Sequence, residues 1–374
     1  MGKVKIGVVG VGGIGQLHCR NIKSLEEVEL ACVCDVNEQT VKKVGEEFKV
    51  KYFSDYKKLI KSGLCDAVLV ATPHWFHPEV CVFAFENNLH VLCEKPMAVT
   101  VSGAYRMLEA AKKSKKVFSL MYQQRISPAI QKAIEIVKSG ILGEIQRTLF
   151  VDTVFYRTQA YYDSATWRAT WKGEGGGVLM NQAPHGIDIF LSLGGLPKKV
   201  EARTRTKLHK IEVEDEVSAF LEYENGAWGY YYTGTCEAGG GSHLELIGDK
   251  GKLILKGEEL KLYKFKPSIS EYTFKSKELW SGPEVKEEEV EIIFKKEDVF
   301  GHAGIVKNFA RAILYKEPLM VSGEEGVKSI EFINAMIMSG KKGAPVKIPV
   351  NRKEYDNFME DLKKDSKPKK NSAR

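Results

Sequence analysis

The chain has 374 residues, 43% hydrophobic and 28% charged, which is too apolar for a disordered protein and enough for about two packed domains. Five of the seven net positive charges fall within 363–374, a stretch with Pro368 and no large apolar side chain, so we expect a disordered basic tail there and neither nucleic acid nor membrane as a partner. No run approaches the ~20 apolar residues of a membrane span, and the apolar start is too short for an export signal, so a soluble cytoplasmic protein is expected.

In chain order, short apolar runs at 4–9, 28–34, 66–71, 90–93 and 117–121 alternate with helix-period segments at 14–24, 38–48, 56–62, 78–87 and 101–114. That alternation predicts a parallel sheet wrapped by helices, an α/β domain over 1–125. Six of the seven cysteines lie within these runs or beside them, without CxxC spacing, and read as core thiols. No metal-ligand spacing is present, so no metal is expected.

Gly10-Val11-Gly12-Gly13-Ile14-Gly15 follows the first strand and opens the first helix. The first glycine permits a tight turn, Gly12 lets backbone amides approach a pyrophosphate, and Gly15 lets helix and strand pack closely. Gly13 and Ile14 complete the phosphate-facing turn. Asp35 lies 20 residues beyond Gly15 at the end of the second strand, with Val36 beside it. A carboxylate there accepts from both adenosine ribose hydroxyls and repels a 2′-phosphate, so NAD is expected rather than NADP.

Ala71-Thr72-Pro73-His74, with His77 three residues on, closes the third of these runs, and Glu94-Lys95-Pro96 closes the fourth. Strand ends of this kind hold ligands in doubly wound sheets. A helix is predicted at 128–139. Beyond Gly143 the pattern changes to longer alternating runs, such as 216–223 and 227–233 joined by Asn225-Gly226, a tight-hairpin signal. Helices at 302–315 and 324–339 and a strand at 345–349 complete an α+β domain over 126–362, built on a large open, mostly antiparallel sheet. An open sheet needs its second face covered. The aromatic residues Trp228, Tyr230 and Tyr232 predict pairing through it into a homodimer or homotetramer.

Taken together, the glycine-rich opening, the ATPxxxH and EKP segments, Gly175-Gly176-Gly177, His185 with Asp188, and Gly323-Glu324-Glu325-Gly326 resemble the glucose-fructose oxidoreductase / inositol dehydrogenase (Gfo/Idh/MocA) family. The resemblance implies a Rossmann domain joined to a large open sheet, with Lys95 and His185 as catalytic residues. It further implies a cofactor site that includes Thr72, Pro73, His77, Glu94, Lys95, Trp167 and Arg168. Chemistry agrees, since hydride transfer from a carbinol needs its hydroxyl proton removed and the oxygen's developing charge stabilised.

The concentration of Tyr156, Arg157, Tyr162, Trp167 and Arg168 suits a carbohydrate or cyclitol, with Arg125 and Asn181 also expected near substrate and the tyrosines equally suited to interface packing. Many relatives carry aspartate where this chain has Asn181. An amide can orient the His185 ring but adds no charge, or it simply caps the following helix. The expected activity is reversible NAD-dependent oxidation of a secondary hydroxyl on a sugar, glycoside or cyclitol. Two alternatives stay open, redox-neutral elimination with retained NAD and a catalytically silent NAD-binding regulator.

Overall fold

The computed structural model describes residues 2–294 and 299–366. Its first sheet is built from β1 (Val4–Val9), β2 (Val28–Cys34), β3 (Lys51–Phe53), β4 (Ala67–Val70), β5 (His90–Cys93) and β6 (Phe118–Leu120), in the order β3-β2-β1-β4-β5-β6. All pairings are parallel. The near-continuous apolar strands are buried on both faces because helices cover both. These helices are α1 (Gly13–Lys23), α2 (Glu38–Phe48), α3 (Tyr56–Ile60), α4 (His77–Glu86) and α5 (Val101–Ser114). The strand order reverses between β1 and β4, so the crevice at their C-terminal ends is where a nucleotide is expected.

Helix α6 (Pro128–Lys138), capped by Ser127, leads into the second sheet. Its strands are β7 (Ile145–Asp152), β8 (Lys199–Arg205), β9 (Glu216–Glu222), β10 (Trp228–Gly234), β11 (Ser242–Gly248), β12 (Gly251–Lys256), β13 (Glu259–Lys266), β14 (Glu284–Glu288) and β15 (Val346–Lys347). The order is β14-β13-β12-β11-β7-β10-β9-β8-β15, antiparallel except for β7 with β10. Short helices α7 (Gln159–Asp163) and α8 (Val178–Asn181) precede α9 (Pro184–Gly194), and α10 (Ile269–Lys275) lies between β13 and β14. The chain ends in α11 (Gly301–Tyr315), α12 (Gly323–Lys342) and α13 (Arg352–Lys364).

One face of the second sheet is sealed by α9 and α12. On the other, alternation along β9 and β10 puts Phe220 (66% exposed) and Trp228 (75% exposed) outward beside half-buried Tyr230 and Tyr232. Among the described residues, no helix is long and apolar enough to cross a membrane.

Two expected boundaries are corrected. The second domain is not self-contained over 126–362, because α11 returns to the first sheet, where Ile305, Val306, Phe309 and Ala310 share a core with Val4, Ile6 and Val8. The basic tail does not begin at 363. Tyr355 and Met359 give α13 a buried stripe, Phe358 and Leu362 pack at its edge, and the helix carries Lys363 and Lys364 with it. Ser366 is also buried, bonded to Glu212 (2.5 Å), and 367–374 lie outside the described residues.

Candidate active site

The glycine turn fits a dinucleotide. A Cβ on Gly10 would lie 2.5 Å from the Ala71 carbonyl and one on Gly15 1.9 Å from the Gly10 carbonyl, whereas Gly12 and Gly13 face open space. Helix α1 has no side-chain cap at Gly12, so its first amides remain available to an anion. Asp35 does more than sequence suggested: Oδ2 accepts from Val11 N and Oδ1 from Asn37 N, both at 2.9 Å. The carboxylate thereby ties the turn to the end of β2 and keeps lone pairs for a ribose. Val36 beside it is 89% exposed, and Ile14 is also open to solvent.

At the next strand ends, His77 bridges β4 to β5. Its Nε2 lies 2.8 Å from Thr72 O and its Nδ1 2.9 Å from Pro96 O, in full burial. Burial alone would depress this imidazole, but Cys93 and the two carbonyls outweigh it and raise the value to about 9. His77 therefore holds the strand ends rather than offering a free nitrogen to a cofactor, a correction to its expected role. Thr72 keeps a buried Oγ1 without a partner, and Pro73 is exposed. Glu94 is buried and accepts from His18 Nε2 (2.7 Å) on α1 and from Lys95 N (3.1 Å). Burial opposes its charge, yet the His18 bond holds its carboxyl at about 2.

Lys95 follows β5, and its Nζ donates to the Asn181 carbonyl (2.8 Å). Burial lowers its proton affinity, Glu94 and Glu174 oppose that, and the Arg168 and Arg157 charges add to it. His185 on α9 is buried close enough to Lys95 to feel its charge. Desolvation first, then Lys95, lower the imidazole to about 3. Gln123 Nε2 donates to its Nε2 (3.3 Å), and its Nδ1 has no partner. The two halves of the chain thus bring Lys95 and His185 together.

Three other expectations change. Asn181 neither orients His185 nor caps α9: its amide donates to Glu174, and the α9 N-cap is Ala183. Arg125 is not free for substrate, because Nε and Nη2 clamp Asp188 (2.6 and 2.9 Å) and Nη2 also reaches Glu325 (2.9 Å). Tyr162 is a core residue, its hydroxyl 2.8 Å from Thr235 Oγ1 and its ring against His209. Tyr156 is half-exposed, Arg157 and Arg168 are half-buried, and Trp167 packs edge-on to His74 at 6.2 Å.

Sequence reasoning passed over Glu174, which is buried and accepts from Asn181 and the Ala169 amide (2.6 Å). Its signal was an acid directly before three glycines. Gln123 and His18 were also missed, although a histidine within the buried stripe of α1 with Cys19 and Ile22 invites a search for its partner.

A doubly wound sheet with an open glycine turn, facing a lysine and a histidine drawn from two domains, defines a dinucleotide-dependent oxidoreductase. Family models agree: residues 4–122 match the oxidoreductase family with NAD-binding Rossmann fold, and 130–254 match the GFO/IDH/MocA C-terminal domain. The chain belongs to the Gfo/Idh/MocA family, and its cofactor is NAD. It is similar to the myo-inositol 2-dehydrogenase of Thermotoga maritima, 31% identical over 38% of this chain and 42% of that protein. It is also similar to the D-glucoside 3-dehydrogenase of Escherichia coli, 27% identical over 60% of this chain and 68% of that one. The WlbA dehydrogenase of Chromobacterium violaceum, solved with NADH and UDP-GlcNAcA, superposes with a TM-score of 0.79 at 26% identity, covering 93% of this chain and 97% of its own.

Proposed function

We propose that the protein transfers a hydride between NAD and a secondary hydroxyl or keto group of a sugar, glycoside or cyclitol, with Lys95 and His185 as its acid/base pair. The observation that carries this reading is Lys95 Nζ fixed by the Asn181 carbonyl, four residues before a neutral, buried His185 that feels the lysine's charge. The names of the glucoside and inositol dehydrogenase relatives support the substrate class.

Bound nicotinamide supplies the hydride acceptor. The chain supplies the rest. With its proton affinity lowered, Lys95 takes the substrate hydroxyl proton at Nζ, and the resulting ammonium stabilises the oxygen in reverse. His185, kept uncharged and accepting from Gln123 at Nε2, carries its own hydrogen on Nδ1, so Nε2 is the second site for that proton once the Gln123 bond gives way. Glu174 holds Asn181, and through its carbonyl the lysine. We further propose a cytoplasmic homodimer or homotetramer joined through the outer face of the second sheet, in keeping with seven free thiols.

Lys95→Ala and His185→Ala should bind NADH within a fewfold of the parent, since the glycine turn and Asp35 hold the other end of the cofactor. Turnover in a screen of glycosides, aldoses and cyclitols should fall by roughly 10²- to 10⁴-fold. Unchanged turnover in Lys95→Ala would sink the assignment. Turnover by the parent without net NADH would instead favour redox-neutral elimination.

A further inference from the structure

Four carboxylates stand within five residues at Glu212-Val213-Glu214-Asp215-Glu216, on the way into β9. Such a run invites a cation, yet each acid is already committed within the chain. Glu212 accepts from the Trp171 amide (2.7 Å), and Asp215 accepts from the Lys207, Leu208 and His209 amides and from the His209 ring. Glu216 takes Arg205, Lys207 and Tyr232. Glu214, only 3% exposed, turns to the segment between the three glycines and His185.

The Glu214 Oε1 accepts from the Gly177 N–H (2.9 Å) and the Leu179 N–H (3.2 Å), and its backbone carbonyl accepts from the Val178 N–H (2.9 Å). One residue therefore satisfies three successive amides at the start of α8, a helix of a single turn that cannot stand on its own hydrogen bonds. A Cβ on Gly177 would fall 1.8 Å from the Glu214 carbonyl oxygen, so the last glycine of the triplet is what lets Glu214 come this close. The far end of α8 holds the chemistry. The Asn181 N–H returns to Gly177 O (3.1 Å), and the Asn181 carbonyl takes Lys95 Nζ (2.8 Å). Val178 O accepts from the N–H of Ala183 (2.9 Å), the N-cap of the helix that bears His185.

We infer that Glu214 is a positioning residue for the acid/base pair, holding α8 so that the Asn181 carbonyl meets Lys95 and α9 starts where His185 reaches the site. The inference rests on the dehydrogenase reading above. Position and proton affinity are linked here, because a carbonyl that accepts from an ammonium group favours the protonated lysine. Releasing α8 withdraws that acceptor, so Lys95 then gives up its proton at lower pH. The charged groups that face Lys95 are Glu94, Glu174, Arg168 and Arg157, and all of them remain when Glu214 is replaced. Glu214 itself is faced by Lys341 from α12 and Tyr355 from α13, which also remain.

The test follows Lys95 in the full chain by acetic anhydride labelling across pH, read by mass spectrometry, alongside kcat, KM and NADH affinity. Glu214→Met keeps the bulk and removes the acceptor. It should lower the pH at which Lys95 becomes reactive by about half a unit or more and cut kcat about tenfold or more, while NADH binds within about twofold. Glu214→Gln keeps an acceptor for both amides but no charge, and should restore the Lys95 titration and most of kcat. Glu331, an equally buried acid on α12 that accepts from the Val350 amide (2.6 Å), serves as the comparison. Glu331→Met should lower the melting temperature and leave Lys95 unmoved, whereas a merely structural role for Glu214 would make the two variants alike. If Glu214→Met does not fold, Glu214→Asp, one methylene short of the amides, should show the same Lys95 shift. A parent-like Lys95 titration in folded Glu214→Met or Glu214→Asp overturns the inference, as does a shift of equal size in Glu214→Gln. NAD reduction by the parent with Lys95 unmoved in every variant would remove the inference and leave the dehydrogenase. The Lys95 shift in a parent that reduces no NAD with any sugar would do the opposite.

Discussion

At Asn181 the charge expected from relatives is absent, yet a carboxylate stands one hydrogen bond away in Glu174. Its negative charge favours the Lys95 ammonium, against burial and two arginines. Glu174→Gln removes that support, so Lys95 should lose its proton more readily and the pH–rate limb it governs should move to lower pH. Turnover should drop about tenfold or more while NADH binding holds. A purely structural role would lower the melting temperature and leave the limb in place. Asn181→Asp should not strengthen His185, since it would set a second carboxylate against Glu174. The expected outcome is lower stability, read by denaturant titration, rather than an upward shift in the histidine's titration.

Among the elements, the 3-10 turn at Gln123–Ile126, α9 and α12 are joined by the Arg125, Asp188 and Glu325 cluster, and Glu325 Oε2 also accepts from Ser322 N to complete the capping box of α12. One arginine thus fixes the helix carrying His185 to the turn carrying Gln123. Arg125→Met should leave Asp188 buried without its partner and cost about 3 to 5 kcal/mol of stability, measured by urea unfolding, with substrate affinity little changed once the protein is folded. A large rise in KM at full stability would return Arg125 to the substrate site.

The parallel strands, the glycine turn and the EKP lysine were legible in sequence because each depends on local pattern: apolar runs, obligatory glycines and a strand end. Strand β3 was not, being a three-residue edge of Lys51, Tyr52 and Phe53 with no alternation to betray it. The roles of Arg125, Tyr162 and Asn181 were misread for a different reason. A guanidinium, a phenol or an amide looks the same in sequence whether its partner is a ligand or Asp188, Thr235 or Glu174, and those partners lie 63, 73 and 7 residues away.

For the whole molecule, the outer face of the second sheet sets Phe220 against Tyr230 across paired strands, with Trp228 and Tyr232 on the same side. An apolar surface of this kind on a single chain calls for a partner. Light scattering at micromolar concentration should give a dimer or tetramer, and Phe220→Lys with Trp228→Asp should reduce it to one chain that still binds NADH. A parent that already runs as one chain would refute the interface.

The return of α11 to the first sheet bears on how such proteins can be recombined. Helix α1, which opens the nucleotide turn, leans on α11 from the far end of the chain, while α12 touches both α5 and β8. In genetic terms the nucleotide unit is split, with most of the second sheet inserted between its parts. A graft that exchanges only the first 125 residues to alter cofactor choice would set a foreign α1 against the old Ile305 and Phe309. The exchangeable module is therefore bipartite, and a working hybrid must carry α11 along with the glycine turn.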